Sequence, residues 1–154
     1  MPKEGQFTIE MQHLQGYEFK VNFGLESMGE ITMDELEPLG EGKGPNPSRV
    51  LAAAAANCLS ASLLYCVSKN EPPAGSIKET ATCTLSRNEK KRLRIGGMQI
   101  QLQVDGELEQ AVRMKRCLDL YEDFCVVTAS LRDGFPIDVD VVNELGEVLH
   151  NSAD

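Results

Sequence analysis

From Ser48 to Asn70 the sequence "SRVLAAAAANCLSASLLYCVSKN" contains no acidic residue, and its only bases are Arg49 and Lys69. No other stretch constrains the fold as strongly. Ala is its commonest residue and has the best intrinsic helix propensity. Asn46 supplies a capping side chain. Pro47 suits the first helical turn, where the N–H it lacks would have no partner. Asn70 and then Pro72-Pro73 stop the run. The expectation is a helix from about Ser48 to Lys69. With so little charge, that helix is expected to be buried over most of its surface. The run Ala52 to Ala56 lets another backbone approach closely. The longest uninterrupted apolar run, Val50 to Ala56, is far short of a span of roughly 20 residues, so no membrane partner is expected.

The flanks read mostly as strands. "FTIEMQH" alternates, with Phe7, Ile9 and Met11 on one face. "YEFKVNF" puts Tyr17, Phe19, Val21 and Phe23 inward. A short strand follows around Ile31 and Met33. Residues 35–48 form a loop by their Gly and Pro content. After the helix comes a hairpin. Its first strand, 76–86, faces Ile77, Ala81, Cys83 and Leu85 inward; its second, 98–104, faces Met98, Ile100, Leu102 and Val104 inward. The basic cluster "RNEKKRLR" (87–94) is expected at its solvated tip. Asp105 is placed to cap a second helix, "ELEQAVRMKRCLDLYEDF", with Leu108, Ala111, Val112, Leu118 and Tyr121 on its apolar face. A shorter helix from about Cys125 to Arg132 ends at Gly134. "FPIDVDVV" (135–142) is expected as a last strand, and 143–154 as a frayed tail. The fold class is α+β with antiparallel sheet. One domain is expected over 1–154: strands and loop to 47, central helix 48–70, hairpin, helices and last strand 75–142, then the tail.

The formal charge of −9 repels phosphate backbones, so nucleic acid is not an expected partner. The N-terminus lacks the apolar core of a signal peptide, and a cytoplasmic location is the expectation. There are five cysteines, Cys58, Cys66, Cys83, Cys117 and Cys125, and the only histidines are His13 and His150. No CxxC pair exists, so neither a metal site nor a cofactor is expected. Without a secretory signal, a disulfide framework is not expected either. Cys66, Cys83 and Cys117 read as small core hydrophobes. Cys125 stands at the start of a helix, where the dipole and free N–H groups favour a thiolate, and Thr128 can add a hydroxyl. Cys58, amid Ala and Leu, would have its thiol pushed up by burial unless a cation sits near.

"GPNPSRVLAAAAANCLSASLLYC", followed by "YEDFCVVTASL" and "GFPIDVDVV", resembles the OsmC/Ohr family, the osmotically inducible protein C and organic hydroperoxide resistance proteins. The similarity spans roughly residues 30 to 142. The resemblance implies an intertwined homodimer, with antiparallel sheets wrapped around two central helices. It implies a thiol-dependent peroxidase acting on organic hydroperoxides. The peroxidatic cysteine falls on Cys58 and the resolving cysteine on Cys125, with a Cys58–Cys125 disulfide reduced by an external thiol. Two positions depart from the family pattern. Peroxidase members carry an N-terminal-region Arg that stabilises the thiolate, whereas the first Arg here is Arg49. They also carry a Glu where Ser48 stands. The alternative is therefore a divergent, non-peroxidase dimer binding a small apolar or thiol ligand.

Overall fold

Asn46 starts the central helix as its side chain suggests: its Oδ1 accepts from the Arg49 amide at 3.1 Å, and the helix runs Pro47–Ser68. Lys69 then takes a left-handed conformation, with φ 52, and its amide closes on the Tyr65 carbonyl. In this computed structural model the described residues are 3–69 and 71–152. Asn70, expected to help end the helix, lies outside them, as do the last two residues of the tail. In chain order the elements are β1 (Glu10–His13), β2 (Phe19–Asn22), β3 (Ile31–Met33), α1 (Pro47–Ser68), β4 (Ile77–Arg87), β5 (Leu93–Val104), α2 (Gly106–Glu109), α3 (Met114–Leu120), a 3-10 turn (Tyr121–Phe124), α4 (Val126–Asp133), β6 (Asp140–Val142) and β7 (Val148–Asn151). The chain divides into two compact units, Met1–Asn57 with Ser76–Asp105, and Cys58–Gly75 with Gly106–Asp154. The division falls inside α1, between Asn57 and Cys58.

In the first unit β1, β2 and β3 pair antiparallel in that order, with Met11 opposite Val21 and Phe19 opposite Met33. Val21 is buried. The expected inward row Phe7, Ile9, Met11 is not covered: β1 begins only at Glu10, and Phe7 is 89% exposed. The loop after β3 is built on Asp34. Its carboxylate accepts from the amides of Glu35 (2.8 Å), Glu41 (3.1 Å) and Lys43 (3.1 Å). These donors, Lys43 foremost, hold the carboxyl below its usual value despite its burial. Gly40 and Gly44 belong here because a Cβ on either would strike the carbonyl of Glu35 or Thr32. The hairpin β4–β5 pairs from Ile77 with Val104 to Arg87 with Leu93, with a bulge at Thr84/Leu85. It is longer than the alternation indicates, because Asn88 organises a tight turn: its Oδ1 accepts from the amides of Lys90 and Arg92. The basic cluster sits at this tip, exposed.

In the second unit Leu59, Leu63, Leu108, Met114, Cys117 and Cys125 form the core. The expected helix over 107–124 is broken into α2, α3 and the 3-10 turn. Helical geometry gives the reason. In one unbroken helix Leu108 and Met114 would point about 120° apart. The break after Glu109 lets both turn inward with Cys117. Val112 and Leu118, expected on the apolar face, are exposed instead. α4 follows the expected short helix and ends at Gly134, whose φ of 73 few other residues adopt.

The last strand is shorter than expected, Asp140–Val142, and the tail is not frayed. It returns as β7 and pairs with β6. The turn is encoded by "NELG": Asn143 Oδ1 accepts from the amides of Leu145 and Glu147, and Gly146 has φ 82. The α1 surface also differs from expectation. Arg49, Ala53, Asn57, Ala61 and Tyr65, at four-residue spacing, form an exposed stripe, with Tyr65 63% exposed. By length and mean hydropathy (1.8 over its most apolar window) α1 is long and apolar enough to cross a membrane, although its longest unbroken apolar run is short. Ala55, Ala56, Leu59 and Leu63 are nonetheless buried like core-helix residues.

Candidate active site

Cys58 and Cys125 are free and lie together in the second unit. Cys58 projects from α1 and is half-buried. Its carbonyl accepts from the Ser62 hydroxyl at 2.8 Å, which fixes that turn of the helix. Cys125 is delivered by the 3-10 turn "YEDF", whose Glu122 carbonyl accepts from the Cys125 amide at 3.1 Å. There Cys125 turns extended, with φ −77 and ψ 99, and becomes the N-cap residue of α4. Its side chain is 0% exposed.

The start of α4 aims its donors at both sulfurs. The Val127 amide points to Cys58 Sγ at 3.5 Å. Burial pushes the Cys125 thiol up. The Thr128 hydroxyl and amide, the Cys58 thiol and the Val127 amide outweigh that and bring it below its ordinary value. The leading influences are therefore burial and hydrogen bonds rather than a cation. Thr128 is 7% exposed, and its hydroxyl is buried with no hydrogen-bond partner. A neutral thiol is a poor acceptor, whereas a thiolate is a good one. Ionising Cys125 gives this orphaned hydroxyl its partner. The arrangement sets two unlike sulfurs side by side at the start of α4: Cys125 is shielded, while Cys58 is open to solvent on one side.

The other cysteines do not follow expectation. Cys66 and Cys117, taken as core hydrophobes, form a disulfide with a Cα separation of 5.7 Å across 51 residues, so the expectation of no structural disulfide is corrected. The broken helix is what turns Cys117 inward to meet Cys66. Cys83 is free, on β4 of the first unit. Lys20, and Arg49 beside the Ser48 that stands for the family's Glu, are exposed residues of that first unit. Among the described residues no group of three His, Cys, Asp or Glu is placed to hold a metal ion.

The contact of Val127 with Cys58 had no signal in the sequence. The pairing of Cys66 with Cys117 had one, an eight-residue spacing used twice: Cys58 to Cys66, and Cys117 to Cys125.

The family model for OsmC-like protein matches residues 40–140. The chain belongs to the OsmC-like protein family. No curated protein matches it significantly. Among solved structures, this OsmC-like chain is similar to an OsmC-like protein of unknown function from Vibrio cholerae O1 biovar eltor str. N16961, with a TM-score of 0.62, 15% identity, and coverage of 82% of this chain and 93% of that one. It is also similar to the organic hydroperoxide resistance protein OsmC of Legionella pneumophila (TM-score 0.60, 15% identity, 85% and 92% covered). A third is the organic hydroperoxide resistance protein OhrB of Bacillus subtilis (TM-score 0.54, 17% identity, 80% and 88% covered). At these identities the likeness is one of fold, and the fold is the OsmC-like α+β arrangement that the resemblance implies.

Proposed function

We propose that this OsmC-like chain is a thiol peroxidase for organic hydroperoxides, with Cys58 attacking and Cys125 resolving. The observation that carries the reading is the pair of free thiols at the start of α4, where the Val127 amide points at Cys58 Sγ, one member half-exposed and the other enclosed. Cys125 gives its proton to solvent, its thiolate then takes the Cys58 proton, and the negative charge is left on Cys58, where a peroxide has access. That sulfur attacks the outer peroxide oxygen and the O–O bond breaks. The alkoxide leaves and takes a proton to become the alcohol, and Cys58 becomes a sulfenic acid. The Cys125 sulfur then attacks it, a disulfide forms, and the sulfenic oxygen leaves as water. Two equivalents of an external thiol restore both cysteines.

The test is a peptide map after brief exposure to an organic hydroperoxide, with and without a sulfenic-acid trap. The expected result is adduct at Cys58 with the trap and a Cys58–Cys125 disulfide without it. Unmodified Cys58 would overturn the reading. That result would favour the divergent dimer that binds a small apolar or thiol ligand, the alternative motivated by Ser48 and the absence of an Arg before Arg49.

The working form is proposed to be a homodimer. Apolar residues alternate along segments that lack cover within one chain: Phe7, Ile9 and Met11, and again Phe135, Ile137, Val139 and Val141, all exposed. A second copy supplies that cover, and cover for the α1 stripe. Sedimentation is expected to give twice the 16.9 kDa chain mass; a monomer at micromolar concentration would refute it.

A further inference from the structure

We propose that the Cys66–Cys117 disulfide is a positioning link, which sets the register of the segment leading to Cys125 against the helix that carries Cys58. Its use in turnover rests on the peroxidase reading above; the geometry does not.

The two cysteine pairs form a ladder with two rungs. Along α1, Cys66 follows Cys58 by eight residues, a rise of about 12 Å. On the returning segment Cys125 follows Cys117 by the same eight. The directions are opposed, so Cys66 meets Cys117, and Cys58 lies against the start of α4, where Val127, two residues past Cys125, points its amide at Cys58 Sγ. What lies between the rungs on the returning segment anchors little. None of residues 118–124 is buried, and Leu118 and Phe124 are both more than half exposed. The ion pair of Glu122 with Arg132, at 3.3 Å, is exposed on both sides and contributes little. The segment also changes helix type at Tyr121 and turns extended at Cys125, so it has no continuous helix to stiffen it. The covalent rung at Cys117 is the firm attachment nearest in sequence before Cys125. With it closed, only the two eight-residue arms separate the second pair of sulfurs along the chain, in place of the whole stretch from Cys58 to Cys125. In a flexible chain that shortening favours closure roughly tenfold. By linkage, each bond then favours the other by the same factor.

The experiment measures the equilibrium between the Cys58–Cys125 disulfide with two glutathione thiols and the two free cysteines with glutathione disulfide. Mass spectrometry scores each bond separately. In the C66A/C117A double variant the disulfide is expected to close at least about fivefold less favourably than in the parent chain. In L108A, which loosens the core of the same unit and keeps the link, the equilibrium is expected to stay within about twofold. An unchanged equilibrium in the double variant, or an equal loss in L108A, would overturn the proposal. Should the double variant not fold, the parent chain gives the same answer. Molecules with Cys66–Cys117 closed should carry the Cys58–Cys125 bond more often than those with it open, by that same factor, and independence of the two bonds overturns it. A chain that closes both bonds yet consumes no hydroperoxide refutes the peroxidase reading and leaves the link standing.

Discussion

Cys58→Ser is expected to lose the proposed hydroperoxide consumption by at least about 10³-fold, because a hydroxyl at that position is not ionised near neutral pH and no other half-exposed sulfur stands at the start of α4. Cys125→Ser behaves differently. It keeps the attacking sulfur and the Val127 amide that points at it but loses the sulfur proposed to take the Cys58 proton, so each chain is expected to react once, more slowly than the parent, and to stop at the sulfenic acid. Turnover with an external thiol is then slow, and no intramolecular disulfide forms. Stopped-flow consumption of an organic hydroperoxide, with the alcohol product counted per chain, separates the two variants. Equal multiple-turnover rates in Cys58→Ser and the parent would remove Cys58 from the chemistry. A one-to-one burst in the parent that persists in Cys58→Ser would transfer the attacking role to another thiol.

Thr128→Val is expected to change both stability and the pH dependence of reactivity. The hydroxyl it removes is buried without a partner, and that burial costs about 1–3 kcal/mol. At a pH where Cys125 is a neutral thiol, the Val variant should therefore be the more stable protein. The parent regains ground as pH rises. A thiol held below its ordinary value of 9.0 adds stability as pH climbs through the folded-state value, and the full contribution is present above the unfolded one. The Val variant lacks the leading hydrogen bond behind that effect, so its advantage shrinks with pH. Its pH–rate profile should shift to higher pH, since a hydrogen bond to the charged Cys125 sulfur contributes about 1.5–3 kcal/mol, while the rate below neutral pH stays near the parent's because the Cys58 thiolate form does not use that bond. Thermal melting between pH 6 and 9, and a pH–rate profile, test both halves. An unshifted profile would mean that Thr128 does not support the thiolate.

Local grammar made much of the fold legible. Asn46-Pro47 announced α1, Ala and Leu carried it, and the alternation of Met98, Ile100, Leu102 and Val104 matched a strand that is found. Cys125 was legible as a helix start because Val126–Asp133 and Gly134 carry the pattern of a short helix. The turn at Asn143 is written in the same grammar, although the polar stretch 143–154 reads as a frayed end. The region 107–124 misled for a different reason: its periodicity suits one continuous helix, yet packing favours three pieces that bring Leu108, Met114 and Cys117 inward.

By itself, then, the sequence determined where α1 and α4 begin, which thiol stands at a helix start, and which family pattern the chain follows. These depend on neighbours a few residues apart, whose capping, propensity and periodicity act locally. Only the tertiary structure decided that Cys66 bonds Cys117, that Val127 points at Cys58, and that Thr128 is buried without a partner. Each depends on groups 51 or 69 residues apart, or on the packing around one hydroxyl. No local rule sets such distances, because they follow from how a broken helix turns against the one it faces.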